Sequence, residues 1–258
     1  MYGLDVARRD DIIEFCDELL DVGGFADYGP NGLQVPGAAE VDKLVTGVSA
    51  HRELIERAVE AGAGMAIAHH GLFWDFLPRQ LSEAMAERLR IALGAQLSIA
   101  GYHLPLDAHP EIGNNALIRD GLGLEASPEG FGLVKDRPIG VVGRDPAGVG
   151  AAELFARVRA LTGRDPLVFE TGPDPVRSIG IVSGAGASTV HEAAVLGLDA
   201  LLTGEPAEHV MADAREAGLH FIAAGHYATE TFGVRRLGEL VAERFGIQHQ
   251  FISIPNPV

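Results

Sequence analysis

The chain has 258 residues, 47% hydrophobic and 22% charged, an ordinary globular composition that argues against disorder. The formal net charge is -16 and no basic run is present, which disfavours nonspecific duplex binding through a basic face. A lone cysteine, Cys16, excludes an intrachain disulfide and a cysteine-built zinc site.

No apolar run approaches the ~20 residues that cross a bilayer. The first residues lack the basic-then-apolar order of a secretory signal. The expectation is therefore a cytoplasmic protein without membrane contact.

Short β-rich runs alternate with helical patterns, the signature of βαβ units in an α/β fold. In chain order, the pattern predicts a helix over 10–20, a strand over 44–49, a helix over 53–61 and a strand over 65–69. A helix over 82–93 and a strand over 97–102 follow. Cys16 shares the apolar spacing of Ile12, Leu19 and Leu20 and is expected to be a buried structural thiol. Asn114 and Asn115 precede another apolar helical pattern and are read as its cap, with orientation of a ligand as the alternative. Residues 125–131, with Ser127-Pro128-Glu129-Gly130, read as a loop between two halves, 1–125 and 126–258. The second half carries predicted strands over 139–143, 179–183, 200–203, 220–224 and 248–254. Its predicted helices cover 150–161, 189–196, 207–217 and 231–245.

The halves repeat each other. Val45-Thr-Gly-Val-Ser-Ala and Ile179-Gly-Ile-Val-Ser-Gly each begin a strand, a helix closed by glycine, and a second strand ending at polar residues. A further helix and strand follow, ending in Ile99-Ala-Gly-Tyr-His103 and Ile222-Ala-Ala-Gly-His226. Asp107 and Glu230 come four residues after those histidines. Ligands in open α/β sheets sit beyond the carboxyl ends of strands, where these polar clusters fall. The fold class is thus two similar, pseudo-repeated α/β halves with a metal site between them, the first carrying His69, His70 and Asp107 and the second His226 and Glu230.

Three strand ends deliver the candidate donors. His69 and His70 end an apolar strand, and Gly71 permits a turn there. Pro105 blocks a regular helix, which puts Asp107 on a rigid loop. His226 and Glu230, at i and i+4, share a helix face, and Gly225 lets the strand turn before them. Each cluster alone is weak. Together, three nitrogens and two carboxylates exceed what one tetrahedral ion with an open position needs, and suit two ions sharing a bridging acid. Mixed nitrogen and oxygen donors admit Zn, Fe, Mn, Ni or Co.

Other candidates are weaker. His103 and His109 flank Asp107 as outer ligands or substrate contacts. Glu205 is read as a helix-start carboxylate, with a supporting role behind the ligands as the alternative. His51, His191, His209, His220 and His249 lack a matching carboxylate partner in the sequence and are taken as structural or surface residues. The turn Ser183-Gly184-Ala-Gly186 lacks the third glycine of a dinucleotide fingerprint, since Thr189 stands there, but could hold an anion on its backbone N–H groups.

Asn31-Gly-Leu-Gln-Val35, Ala68-His-His-Gly71, Tyr102-His-Leu-Pro-Leu-Asp-Ala-His109, Gly113-Asn-Asn115, Thr203-Gly-Glu205 and Ala224-Gly-His-Tyr-Ala-Thr-Glu230 resemble the Nif-three-like family, also called GTP cyclohydrolase 1 type 2 homologues or dinuclear-metal-centre hexameric proteins. The resemblance runs from about residue 10 to the end and is nearest the compact bacterial form. It implies that His69, His70, Asp107, His226 and Glu230 are the metal ligands, with Glu230 bridging two divalent ions, and that the chain assembles into a toroidal homohexamer. One departure stands out: the family commonly has Leu-Asp-Ala after the first strand, and this chain has Val48-Ser49-Ala50.

Two functions compete. One is a metal-dependent hydrolase of a nucleotide or related small molecule, with His103 or His109 transferring protons in the reaction that the family label implies. The other is a non-enzymatic metal-handling or regulatory ring. A ring around nucleic acid conflicts with the -16 charge.

Overall fold

The computed structural model describes residues 6–258, so the first five residues of the expected first half lie outside it. The described residues begin with β1 (Ala7–Arg8) and α1 (Arg9–Leu19), where Ile12 and Cys16, one turn apart, are fully buried. The expected buried thiol is found, and burial pushes its pKa up. Two strands not foreseen follow, β2 (Gly32–Val35) and β3 (Glu40–Val41), the latter pairing with β1. Their brevity leaves no periodicity to read.

A βαβαβ run comes next: β4 (Lys43–Ser49), α2 (Arg52–Glu60), β5 (Met65–His70), α3 (Glu83–Gly94) and β6 (Ser98–Gly101). Helical crossovers make the three strands parallel. The helices start at side-chain caps, His51 accepting from the Leu54 N–H and Ser82 from that of Met85. A single helical turn, α4 (Leu104–Ala108), stands where a loop was expected. Pro105 sits in that first turn, where no N–H partner is needed, so it starts the turn instead of preventing it.

Then come α5 (Asn114–Gly121), β7 (Glu125–Val134) and β8 (Arg137–Val149). Residues 125–131 are therefore strand, correcting the expected linker. The β7 strand is at a sheet edge and its register slips between Ala126 and Gly130, which accommodates Pro128. The remainder is α6 (Ala151–Thr162), β9 (Leu167–Phe169), β10 (Val176–Val182), α7 (Val190–Val195), β11 (Ala200–Thr203), α8 (Val210–Ala217) and β12 (His220–Ala223). The chain closes with α9 (His226–Thr229), α10 (Thr231–Phe245) and β13 (Gln248–Phe251).

Contacts gather the chain into two units, the residues up to Leu106 with Gly233–Ile254, and Asp107–Phe232 with Pro255–Val258. This corrects the expected division at 125/126: Asp107 joins the second unit, and α10 and β13 join the first. The reason is pairing remote in sequence, since β13 adds in parallel to the edge of β4.

The first unit holds a five-stranded sheet in the order β13-β4-β5-β6-β2. Its core joins Val45, Leu54, Ile55, Ala66, Leu97 and Ile99. The second unit holds a six-stranded sheet in the order β7-β8-β10-β11-β12-β9, over a core including Leu154, Ile179, Leu202 and Ile222. In both, three parallel strands in chain order are flanked by an antiparallel strand beside the third. Each unit therefore gathers three parallel strand ends along one sheet edge. No helix among the described residues is long and apolar enough to cross a membrane.

Candidate metal centre

In the first unit the gathered ends belong to β4, β5 and β6. They present Ser49, the pair His69–His70, and His103 just beyond Gly101-Tyr102. Nitrogen atoms of His69, His70 and His103 all lie within 4.8 Å of one another. His103 packs 5.1 Å from the His69 ring, 5.6 Å from that of His70 and edge-on to Trp74 at 5.0 Å, between ring centroids.

Each imidazole is oriented by a partner on Nδ1. His69, fully buried, donates from Nδ1 to the Tyr102 carbonyl at 2.9 Å, which leaves Nε2 the lone pair that a cation needs. His70 Nδ1 lies 3.0 Å from Ser49 Oγ. Ser49, which stands where the resembled family commonly has an acid, thus touches a candidate ligand. His103 Nδ1 meets Asp27 Oδ1 at 2.8 Å. Burial alone would raise the Asp27 carboxyl, but the His103 contact and the hydrogen bonds from Asn31 and the Tyr28 N–H outweigh it and hold it at about 2.

Sequence reasoning missed the residues that build this arrangement. Asn31 donates to Asp27 and accepts the His103 N–H, and the Leu104 N–H donates to Asp27 as well. Gln34 accepts the Leu72 N–H at 2.7 Å and donates to the Pro30 carbonyl. A Cβ on Gly71 or Gly101 would collide with the Gln34 amide. Gly71 thus leaves the space that the Gln34 amide occupies, and its φ is not left-handed. The motif Asn31-Gly-Leu-Gln carried no chemistry of its own, and Asp27 carried no signal at all.

In the second unit the ends of β10, β11 and β12 present Ser183, Glu205 and His226. Asp107, nearly buried, accepts on Oδ1 from Asn114 Nδ2 at 2.8 Å and from Ser183 Oγ at 3.1 Å. Asn115 donates to the Ile139 carbonyl and accepts the Ser183 N–H. The α5 N-cap is Gly113, without a side-chain cap. The expected capping role of the two asparagines is corrected: both are fully buried and hold Asp107 and Ser183 in place.

His226 lies between two carboxylates, Nε2 at 3.1 Å from Glu230 Oε1 and Nδ1 at 3.2 Å from Glu205 Oε2. Burial by itself would lower its pKa, yet Glu230 and Glu205 outweigh that and raise it to about 9. Glu205 is in a loop, so the helix-start reading is replaced by the supporting one. Gly225, at φ +98°, makes the turn before His226 as expected. The glycine turn after β10 wraps these side chains instead of offering itself to an anion. Gly184, at φ +62°, has no room for a Cβ, which would strike Glu230 Oε1 and reach within 3.2 Å of His226 Nε2. Its N–H donates to Thr229 Oγ1 at 3.0 Å. Adjacent residues Ser183 and Gly184 thus touch Asp107 on one hand and Glu230 on the other.

His109 is a turn residue: its Nδ1 accepts the N–H groups of Glu111 and Ile112. His51, His220 and His249 also bond within the fold, to Leu54, to Pro173 and Gly172, and to Thr46. His191 and His209, expected to lack a carboxylate partner, share Asp213.

The donor chemistry fits divalent metal ions. A tetrahedral ion with bonds of ~2.0–2.1 Å holds donors ~3.3 Å apart, close to the 3.1 Å between His226 Nε2 and Glu230 Oε1. The three histidines of the first unit bring their nitrogens within 4.8 Å of one another.

Residues 7–257 match the model of the family described as Duf34/NIF3 (NGG1p interacting factor 3). The chain is 41% identical over 251 residues to the Escherichia coli (strain K12) protein named GTP cyclohydrolase 1 type 2 homolog, covering 97% of this chain and 99% of that one. A solved structure titled protein ybgI, of unknown function, is 40% identical and superposes with a TM-score of 0.92, over 98% of this chain and all of that one. The solved structure of TTHA1606 from Thermus thermophilus is 33% identical with a TM-score of 0.87, again over 98% of this chain and all of that one.

Proposed function

The chain belongs to the Duf34/NIF3 family, and from that premise we propose that it is a metal-dependent hydrolase of a nucleotide or related small molecule. It holds two divalent cations with His69, His70, Asp107, His226 and Glu230. The observation that carries the reading is the supporting shell. In each unit the candidate ligands are oriented by hydrogen-bonding partners: the Tyr102 carbonyl and half-buried Ser49 in the first, and buried Asn114 and Ser183 with half-buried Glu205 in the second. Surface histidines and acids do not need such partners. The relatives' name, GTP cyclohydrolase 1 type 2 homolog, supports the nucleotide class.

When bound, divalent ions supply Lewis acidity, acidifying water and polarising a substrate oxygen. The chain's own residues do the remaining work. His103, with Nδ1 held by Asp27, presents Nε2 as the proton-transfer group. Trp74, against His70 and His103, limits water around them. Of the two histidines expected to transfer protons, the reading keeps His103 and gives His109 a turn-capping role. A toroidal homohexamer in the cytoplasm completes the proposal.

The test is metal analysis of protein purified without added metal, then a nucleotide and phosphoester screen with that ion. Turnover is expected in the loaded wild type and lost in His70→Ala and Glu230→Gln. Loaded protein that turns over nothing would favour the metal-handling alternative. Light scattering checks the hexamer.

A further inference from the structure

Helices α7 and α8 pack against each other in the second unit, and each brings a histidine to the same acid. His209 is the N-cap residue of α8, and Asp213, four residues on, shares its helix face. His209 Nδ1 lies 2.7 Å from Asp213 Oδ2. His191, in the first turn of α7, points its Nε2 at the same oxygen from 3.6 Å. All three donor atoms fall within 4.8 Å of one another.

A surface ion pair at i and i+4 would account for His209 and Asp213 alone. It does not call for a second imidazole delivered from another helix. The separations of 2.7 and 3.6 Å from Asp213 Oδ2 bracket the ~3.3 Å between donors on one tetrahedral ion, so both imidazoles already stand near the carboxylate at distances a shared cation can use. The side chains of His191 and His209 are 71% and 49% exposed, so a cation could enter from solvent and keep water in its remaining positions.

We propose that His191, His209 and Asp213 form a further divalent transition-metal site, lying wholly within the second unit and sharing no residue with the five ligands above. Two imidazoles and a carboxylate suit Zn, Ni, Co or Cu and disfavour Mg and Ca, which prefer all-oxygen shells. A cation there ties α7 to α8. With only three protein donors and an open face, it exchanges more readily than one in a closed four-ligand site.

Chelator-stripped, untagged full-length chain is titrated with nickel chloride by calorimetry, alongside His191→Ala/His209→Ala and His70→Ala/Glu230→Gln. The expected result is one bound equivalent present in wild type and in His70→Ala/Glu230→Gln, and absent from His191→Ala/His209→Ala. Asp213→Asn, which keeps the shape of the side chain, should weaken that equivalent at least about tenfold, the least that losing even a ligand's partner costs. An unchanged isotherm in His191→Ala/His209→Ala overturns the proposal, as does disappearance of the equivalent from His70→Ala/Glu230→Gln alone.

Discussion

The first unit gathers imidazoles and the second gathers carboxylates, although the same strand–helix–strand repeat builds both. Ser49 and Ser183 hold equivalent places in the repeat, and each touches a proposed ligand, His70 in one unit and Asp107 in the other. The scaffold is shared; the charge is not. His69 and His70 are steadied by neutral groups, a carbonyl and a hydroxyl. His226 is steadied by two acids that hold a proton on it, which a cation must displace. Repeat symmetry thus supplies positions, and the side chains at them decide whether a candidate imidazole is backed by neutral groups or by acids that hold a proton on it.

Of the residues around the candidate ligands, Gly184 tolerates substitution least. Gly184→Ala forces a β-carbon against Glu230 Oε1 at a positive φ. It should cost about 2–4 kcal/mol by overpacking and backbone strain and remove metal bound through Glu230, without altering any donor. Thermal unfolding and metal analysis together check this; unchanged metal content would show that the cradle is irrelevant.

Asp27→Asn tests the first unit. The amide no longer fixes the Nδ1 proton of His103, so turnover should fall by about 10²-fold, the lower end for general acid–base catalysis, while metal content is kept. Equal losses of metal and activity would instead make Asp27 a structural prop.

The charge contrast sets a pH dependence. His226 is raised from 6.5 to about 9, so the metal-free protein has that stabilisation in full below 6.5 and loses it as pH rises through about 9. Metal binding runs the other way. Affinity should rise about tenfold per pH unit up to about 9, with close to one proton released per chain near pH 7. Calorimetry in buffers of differing ionisation enthalpy counts that proton, and Glu205→Gln should reduce it. Buffer-independent heats would contradict the picture.

Ser49→Ala is the mildest perturbation, expected to weaken metal binding about tenfold. Ser49→Asp, which introduces the family's usual acid, should tighten it beyond wild type. Together they show how far a hydroxyl replaces a carboxylate behind His70.

Much of this is legible in the sequence. The βαβ alternation, the internal repeat and the positions of His70 and His226 at or just beyond strand ends follow from periodicity and spacing, because those patterns are local. Asp27 and Gln34 are not legible there. Each acts on a residue dozens of positions away, Asp27 on His103 and Gln34 on Gly71 and Gly101, and neither has a local signature. The same limit misjudges Asn114, whose local role would be a helix cap but whose amide turns to Asp107.

The alternation of strands and helices in the two βαβαβ runs, and the residue types that end their strands, are settled by neighbours within a few positions and so can be read from the chain alone. Only the tertiary structure decided which β-strand β13 would join, which nitrogen of His69 and which oxygen of Asp107 would be engaged, and that His191 and His209 would meet at Asp213. Hydrogen-bond partners are chosen by distance in space, and a linear pattern does not record which distant segments are brought within three ångströms.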